Sequence, residues 1–199
     1  MLILRGFPML CILLLCSLQA NASSFLQAAF SGDLQNVKST LDGGGNVEET
    51  DRAGNTALII SSFKGHNDIV QYLIDKGANV NAQAKDGFTA LIYAAQQGRI
   101  DTMDILITNH ADINMNGLSG TALYQAVEKG QFEAVQYLVD HNADLNSTIT
   151  VFGLKLNALC QARNLGREEI YDYLKSKGAK LLTGEKTLCK SEYPGRNGN

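Results

Sequence analysis

The chain has 199 residues, 17 Lys and Arg against 20 Asp and Glu, and a formal net charge of −3 at pH 7. That length suits one or two domains. The negative balance, with no run of like charge, argues against nucleic acid, because a phosphate-binding face needs clustered Lys and Arg.

The first element is a leader. Arg5 supplies a short positive region, Met9 to Leu18 are mostly apolar, and Ala20-Asn21-Ala22 offers a small-residue cleavage site before Ser23. This is the pattern of a secretory signal peptide over 1–22. The apolar run is too short to span a bilayer as a mature helix. A buried N-terminal helix is the alternative. A lipoprotein reading through Cys16 is disfavoured, because Leu15 stands where such a signal wants a small residue. No long apolar span follows, so the mature chain is expected to stay off the membrane.

From there the chain repeats itself. Thr56-Ala57-Leu58-Ile59, Thr89-Ala90-Leu91-Ile92, Thr121-Ala122-Leu123-Tyr124 and Asn157-Ala158-Leu159-Cys160 are versions of one tetrapeptide, spaced by 33, 32 and 36 residues. A period near 33 reads as stacked helix pairs, one pair per unit. In the second unit the first helix is predicted from about Thr56 to Lys64. Gly65 ends it, because glycine tolerates the left-handed conformation of a helix C-cap. Ile69, Val70, Leu73 and Ile74 then form an apolar stripe at helical spacing, and Asp75-Lys76-Gly77 stops that second helix. Equivalent stripes run through Ile105, Leu106 and Ile107 and through Val135, Leu138 and Val139. Gly43-Gly44-Gly45 reads as a helix stop and not as a phosphate loop, since no Lys-Ser or Lys-Thr follows. Ser147 to Leu156 is a longer connection, read as a surface insertion. The tail, 183–199, is expected to be loose.

The second unit, Asp51-Arg52-Ala53-Gly54-Asn55-Thr56-Ala57-Leu58, then Gly65-His66-Asn67-Asp68-Ile69-Val70, then Gly77-Ala78-Asn79-Val80-Asn81, resembles an ankyrin repeat. The endings recur as His110-Ala111-Asp112-Ile113-Asn114 and Asn142-Ala143-Asp144-Leu145-Asn146. The resemblance covers roughly Ser23 to Leu182 and implies an all-α solenoid of about five stacked helix-turn-helix units, near 23–50, 51–83, 84–116, 117–149 and 150–182. The departures are specific. Ala57, Ala90, Ala122 and Ala158 replace the family's Pro; Ala is the best helix former, so the helices should survive. Ile59, Ile92, Tyr124 and Cys160 replace a His that links neighbouring turns, so the stack should lean more on apolar contact. Arg163 and Asn157 mark the fifth unit as the weakest match, read as a C-terminal cap with a polar outer face.

The resemblance also implies function. Ankyrin stacks grip another protein with turn tips and the exposed positions of the first helices. Carried over, the candidate protein-binding residues are Arg52, Asn55, Lys85 and Phe88 at the tips and Phe30, Phe63, Lys64, Gln96, Gln97, Glu128 and Lys129 on the helices. Phe30, Phe63 and Phe88 stand at positions that are usually solvated. Either they form an aromatic contact patch or they pack against neighbouring tips. The expected partner is a protein, a periplasmic enzyme or toxin that a monomeric chain inhibits or protects. A secreted effector aimed at a host protein and a helper of an exported catalase are the alternatives.

Catalytic chemistry is not apparent. His66, His110 and His141 lie in three different units, no Cys or His pair has zinc-like spacing, and no G-x-S-x-G occurs. The expectation is no enzyme, no cofactor and no metal. Asp101, Asp104 and Glu133 are expected to be solvated on outer faces. Asn146-Ser147-Thr148 is a glycosylation sequon that matters only in a eukaryotic secretory route. Once the leader is removed, Cys160 and Cys189 remain, an even pair in an oxidising compartment. They read as a disulfide, with a buried thiol and a spare one in the tail as the alternative. For the leader, Edman sequencing of the exported protein should read Ser23-Ser24-Phe25; an intact Met1 terminus in the cytosol would remove the basis for export.

Overall fold

The computed structural model describes residues 23–118, 120–184 and 187–189; the predicted leader lies outside them. Among the described residues the chain forms ten helices in five antiparallel pairs and one short hairpin. The pairs are α1 (Ser24–Ser31) with α2 (Leu34–Asp42), α3 (Ala57–Lys64) with α4 (Asn67–Asp75), α5 (Ala90–Gln96) with α6 (Ile100–Thr108), α7 (Ala122–Lys129) with α8 (Phe132–Asp140), and α9 (Ala158–Leu165) with α10 (Glu168–Ser176).

The repeated tetrapeptide is a helix start. Thr56, Thr89 and Thr121 are extended, and their hydroxyls accept the backbone N–H of the residue three positions on, at 3.3, 3.2 and 3.3 Å. Asn157 does the same for Cys160 at 2.9 Å, so the change from Thr keeps the cap. Such a cap satisfies one of the free N–H groups at a helix start. Ala at the next position continues the helix without a Pro. At the other end Gly65, Gly130 and Gly166 take φ of 80°, 75° and 69°, the left-handed region that closes the helix.

The first helices lie side by side in an inner row, and each packs on its own second helix in an outer row. Ala57, Ala90, Ala122 and Ala158 sit at the close approach between inner helices and are buried. Behind them one continuous core runs through Leu58, Leu73, Leu91, Leu106, Leu123, Leu138, Leu159 and Leu174. Burial of each such side chain contributes roughly 1.5–3 kcal/mol. Ile59, Ile92, Tyr124 and Cys160 are all buried as well, so apolar packing does occupy the row where the family has His.

Polar rungs set the register of the stack. The side-chain oxygens of Asn81, Asn114 and Asn146 accept the backbone N–H of Asp112, Asp144 and Lys180 at 2.8, 2.8 and 2.9 Å. Glu48 fills this place in the first unit, accepting from Asn79 at 2.7 Å. A second ladder lies at the inner helix ends. The residue after each helix-ending Gly reaches back over the Gly of the preceding unit: His66 over Gly32, Arg99 over Gly65, Gln131 over Gly98 and Arg167 over Gly130. His66 Nε2 donates to the Phe30 carbonyl at 3.1 Å and Gln131 Nε2 to that of Gln96 at 3.4 Å, so the second and fourth units cap the last turn of the unit before them. At the tips, Lys85 N–H donates to Ala53 O at 2.9 Å and Leu118 N–H to Asp86 O at 3.2 Å.

The predicted surface connection is a hairpin. β1 (Thr148–Val151) pairs antiparallel with β2 (Leu154–Asn157), and Val151 faces Leu154 across a two-residue turn. Phe152 and Gly153 take φ of 51° and 78°, the positive values such turns need. The all-α class stands with this small addition, which stretches the last spacing to 36 residues.

The tip contacts predict a difference between two glycines. A Cβ on Gly87 (φ 78°) would lie 2.9 Å from Leu118 N and 3.0 Å from Gly117 Cα, whereas one on Gly77 (φ 86°) would meet nothing within 4 Å. Both would strain the backbone; only the first would push two tips apart. Urea denaturation should give a loss of about 1 kcal/mol for Gly77→Ala and about 2–3 kcal/mol for Gly87→Ala.

Candidate protein-binding surface

The inner helices present one row of part-exposed side chains near their C-terminal ends. Phe30 and Phe63 are half-buried there, and the Lys64 ammonium stands 4.3 Å from the centre of the Phe30 ring. Phe63 meets Tyr93 edge to face at 5.8 Å. Gln97, Glu128 and Lys129 continue the row, also half-buried, and the last two lie 3.8 Å apart. At the tips Arg52 and Lys85 are exposed, and Lys85 Nζ donates to the Arg52 carbonyl at 2.8 Å. These eight sequence-predicted positions do share one side of the stack.

The other three do not reach solvent. Phe88 is 1% exposed, and its ring meets Tyr93 at 4.9 Å beneath the tip. The packing alternative therefore holds for Phe88, and no three-aromatic surface patch forms. Asn55 is also 1% exposed. Its backbone N–H and side-chain N–H both donate to the Asp51 carboxylate at 2.9 Å, so it closes its own turn. Gln96 is 7% exposed and points along the stack, donating to Gln125 Oε1 at 2.9 Å and accepting from Gln97 at 3.2 Å. Phe88 and Asn55 share a cause. Both stand just before the residue that caps the inner helix, as Gly120 does before Thr121 and Leu156 before Asn157, and all four are buried.

Two tips carry large exposed apolar side chains. Leu118 is 78% exposed and Phe152, in the hairpin turn, is 91% exposed. Phe152 is absent from the sequence-predicted residues. Its signal was a Phe-Gly pair between two runs of alternating β-branched and apolar residues, which is a hairpin pattern.

The family model described as "Ankyrin repeats (3 copies)" matches residues 25–117 and again 109–184. The chain belongs to the ankyrin repeat family. No curated protein matches it. The ankyrin family is one of non-catalytic interaction scaffolds. Among the described residues no cluster of His, Cys, Asp and Glu could hold a metal ion, and no helix is long and apolar enough to cross a membrane.

The last ankyrin unit is closed by a strap. Cys160 and Cys189 are joined by a disulfide, with their Cα atoms 4.9 Å apart. Leu188 N–H donates to Lys155 O at 3.0 Å, and Asn164 Nδ2 donates to Leu188 O at 2.8 Å. Beneath the strap Tyr124, Leu156 and Cys160 form a second apolar cluster with Ile149, Leu181, Leu182 and Leu188 packed on it. Burial there pushes the Tyr124 phenol above its ordinary range. The loose tail of the sequence reading is thus corrected at 187–189, which the disulfide and two hydrogen bonds pin across α9. The surface open to a partner is accordingly the inner row of the first four units, the tips and the hairpin. Thiol titration of the unreduced, denatured mature protein should find no free thiol. Cys189→Ala should lower stability by about 3–4 kcal/mol, the loop-closure value for a 29-residue separation.

Proposed function

We propose that this ankyrin protein is exported to the periplasm, binds a partner enzyme through the inner row and the tips, and holds that enzyme inactive or protects it. The observation that carries the reading is the row itself. Five inner helices stand in register, and Phe30, Phe63, Lys64, Gln97, Glu128 and Lys129 lie along one side of them. Backbone caps and neighbouring units satisfy the helix ends, so the polar members of the row, Lys64, Gln97, Glu128 and Lys129, are not needed to cap them. They are presented on a rigid array, which lowers the ordering cost of binding. The Cys160–Cys189 disulfide supports the compartment, because such bonds persist where the environment is oxidising. The signal-peptide pattern of 1–22 supports it from the sequence.

The test is a pull-down from periplasmic extract with the mature chain as bait, followed by assay of the captured enzyme. Inhibition should appear as lost activity of that enzyme, and protection as a longer half-life on heating. The double variant Lys64→Glu with Gln97→Lys should lose the partner while its melting midpoint stays within about 2 °C, since surface changes usually cost under about 0.5 kcal/mol. Phe88→Ala should behave oppositely and destabilise by roughly 3–5 kcal/mol, as a buried ring does. Full capture by the double variant would place the contact elsewhere.

A further inference from the structure

The two rows of the stack carry opposite charge. On the inner helices, tips and hairpin, Arg52, Lys64, Lys85, Lys129, Lys155 and Arg163 stand against only three carboxylates, Asp51, Asp86 and Glu128. Two of these three are engaged within the tips. Asp51 accepts the N–H groups of Ala53 and Asn55, and Asp86 accepts from Phe88 N–H at 3.0 Å and from the Tyr93 hydroxyl at 3.1 Å. Glu128 lies beside Lys129. On the outer helices and the loops after them, carboxylates outnumber cations by about two to one. The net charge of −3 therefore hides a basic inner side.

Phe152 stands at the end of that basic side. A two-residue hairpin turn with two positive φ values favours Asn-Gly, and a bulky residue at φ 51° is held against its preference. The ring gains nothing from the fold in return, being 91% exposed. Leu118, exposed on the tip before it, lies one repeat away, on the order of 10 Å by the usual spacing of packed helices. A strained, solvated aromatic beside a second exposed apolar tip suits an anchor that a partner buries.

We propose that the partner offers an acidic segment of polypeptide that lies along the inner side, with apolar side chains that close over Phe152 and Leu118. The proposal rests on the protein-binding reading above and names the chemistry of the partner. A flat anionic bilayer fits less well. Lys64 and Lys129 sit in the last turns of eight-residue helices whose first turns carry the tips. Eight residues of helix are about 12 Å long, so a plane resting on Phe152 would not meet those ammonium groups. A flexible acidic chain can follow them inward.

The probe is a displayed library of random linear dodecapeptides, panned on the immobilised mature, disulfide-bonded chain. Selected peptides should be rich in Asp and Glu around at least one aromatic or aliphatic residue, although the chain as a whole is negative. Binding of a selected peptide, read by fluorescence anisotropy, should weaken at least tenfold with Phe152→Asn. It should weaken similarly with Arg52→Glu plus Lys85→Glu, and it should fall as salt is raised. Lys175→Glu on the outer row should leave it unchanged. Phe152→Asn should also keep or raise the melting midpoint, because Asn-Gly suits the turn better; a residue kept for folding would give the reverse. Neutral or basic peptides that need Lys64 but ignore Phe152 would overturn this inference and leave the interaction module standing. Failure to select any peptide would count against both. Phe152-dependent binding to phosphatidylglycerol vesicles, or concentration-dependent self-association in sedimentation, would replace the acidic segment with a membrane or a second copy.

Discussion

One helix pair of this chain cannot bury its own apolar stripes, and the rest of the structure follows from that. Leu58 and Leu73 belong to one unit yet share a core with Leu91 and Leu106 of the next. Stability comes from stacking, so each inner helix must approach its neighbour closely, and Ala at the first helical position permits it. Close approach alone would leave the register free to slide. The Asn81, Asn114 and Asn146 rungs remove that freedom, because each oxygen meets one backbone N–H of the following unit. The side chains seated over Gly32, Gly65, Gly98 and Gly130 fix the inner side in the same way. The first unit breaks the Asn pattern with Glu48 and keeps the bond, which shows that the acceptor matters and the residue type does not.

Most of this was legible because each unit restates it. The Thr caps, the Gly stops and the apolar stripes recur at one spacing, and each has a local physical cause. The rungs were legible in principle from the recurring Asn81, Asn114 and Asn146. The candidate surface was less legible, for a definite reason. A family position is assigned by register, whereas exposure depends on what fills the space behind it. At the position before the capping Thr, Phe88 finds Tyr93 as a platform, and Asn55 finds the Asp51 carboxylate. Both turn inward. Gln96 turns because Gln125, one unit on, accepts from its amide. The partners of Phe88 and Asn55 lie in their own units but outside the repeated tetrapeptide, and that of Gln96 lies one unit on, so the register of the tetrapeptide alone does not show them. The hairpin was hidden by its own anomaly, since the turn carries Phe where the pattern asks for Asn.

Net charge misled in a similar way. A value of −3 correctly disfavours a phosphate backbone, yet it is an average over two rows of different sign. The outer helices carry acids in their first turns, as at Asp68, Asp101, Glu133, Glu168 and Glu169, where the helix dipole favours them. The inner helices carry Lys64, Lys129 and Arg163 in their last turns, where the dipole favours cations. Each unit runs its inner helix toward the same end, so a local preference repeated unit by unit adds up to a basic side and an acidic side. Charge segregation here is a consequence of the repeat and needs no separate design.

The C-terminal strap joins these threads. Its disulfide fixes Cys189 on α9, which fixes Leu188, whose N–H holds the Lys155 carbonyl on β2. β2 in turn holds β1 through the ladder that ends at Val151 and Leu154, on either side of Phe152. The base of the hairpin is packed on the other side as well: a Cβ at Gly120 would come within 3.0 Å of Ile149. A turn held at both strands and along one edge can keep a residue in an unfavourable conformation that an isolated hairpin would relax. The same bond that closes the weakest unit thus maintains the strained, exposed ring at the end of the inner side. On this argument the disulfide contributes to the shape of the surface as well as to stability, and the two effects are carried by one covalent link 29 residues apart in sequence.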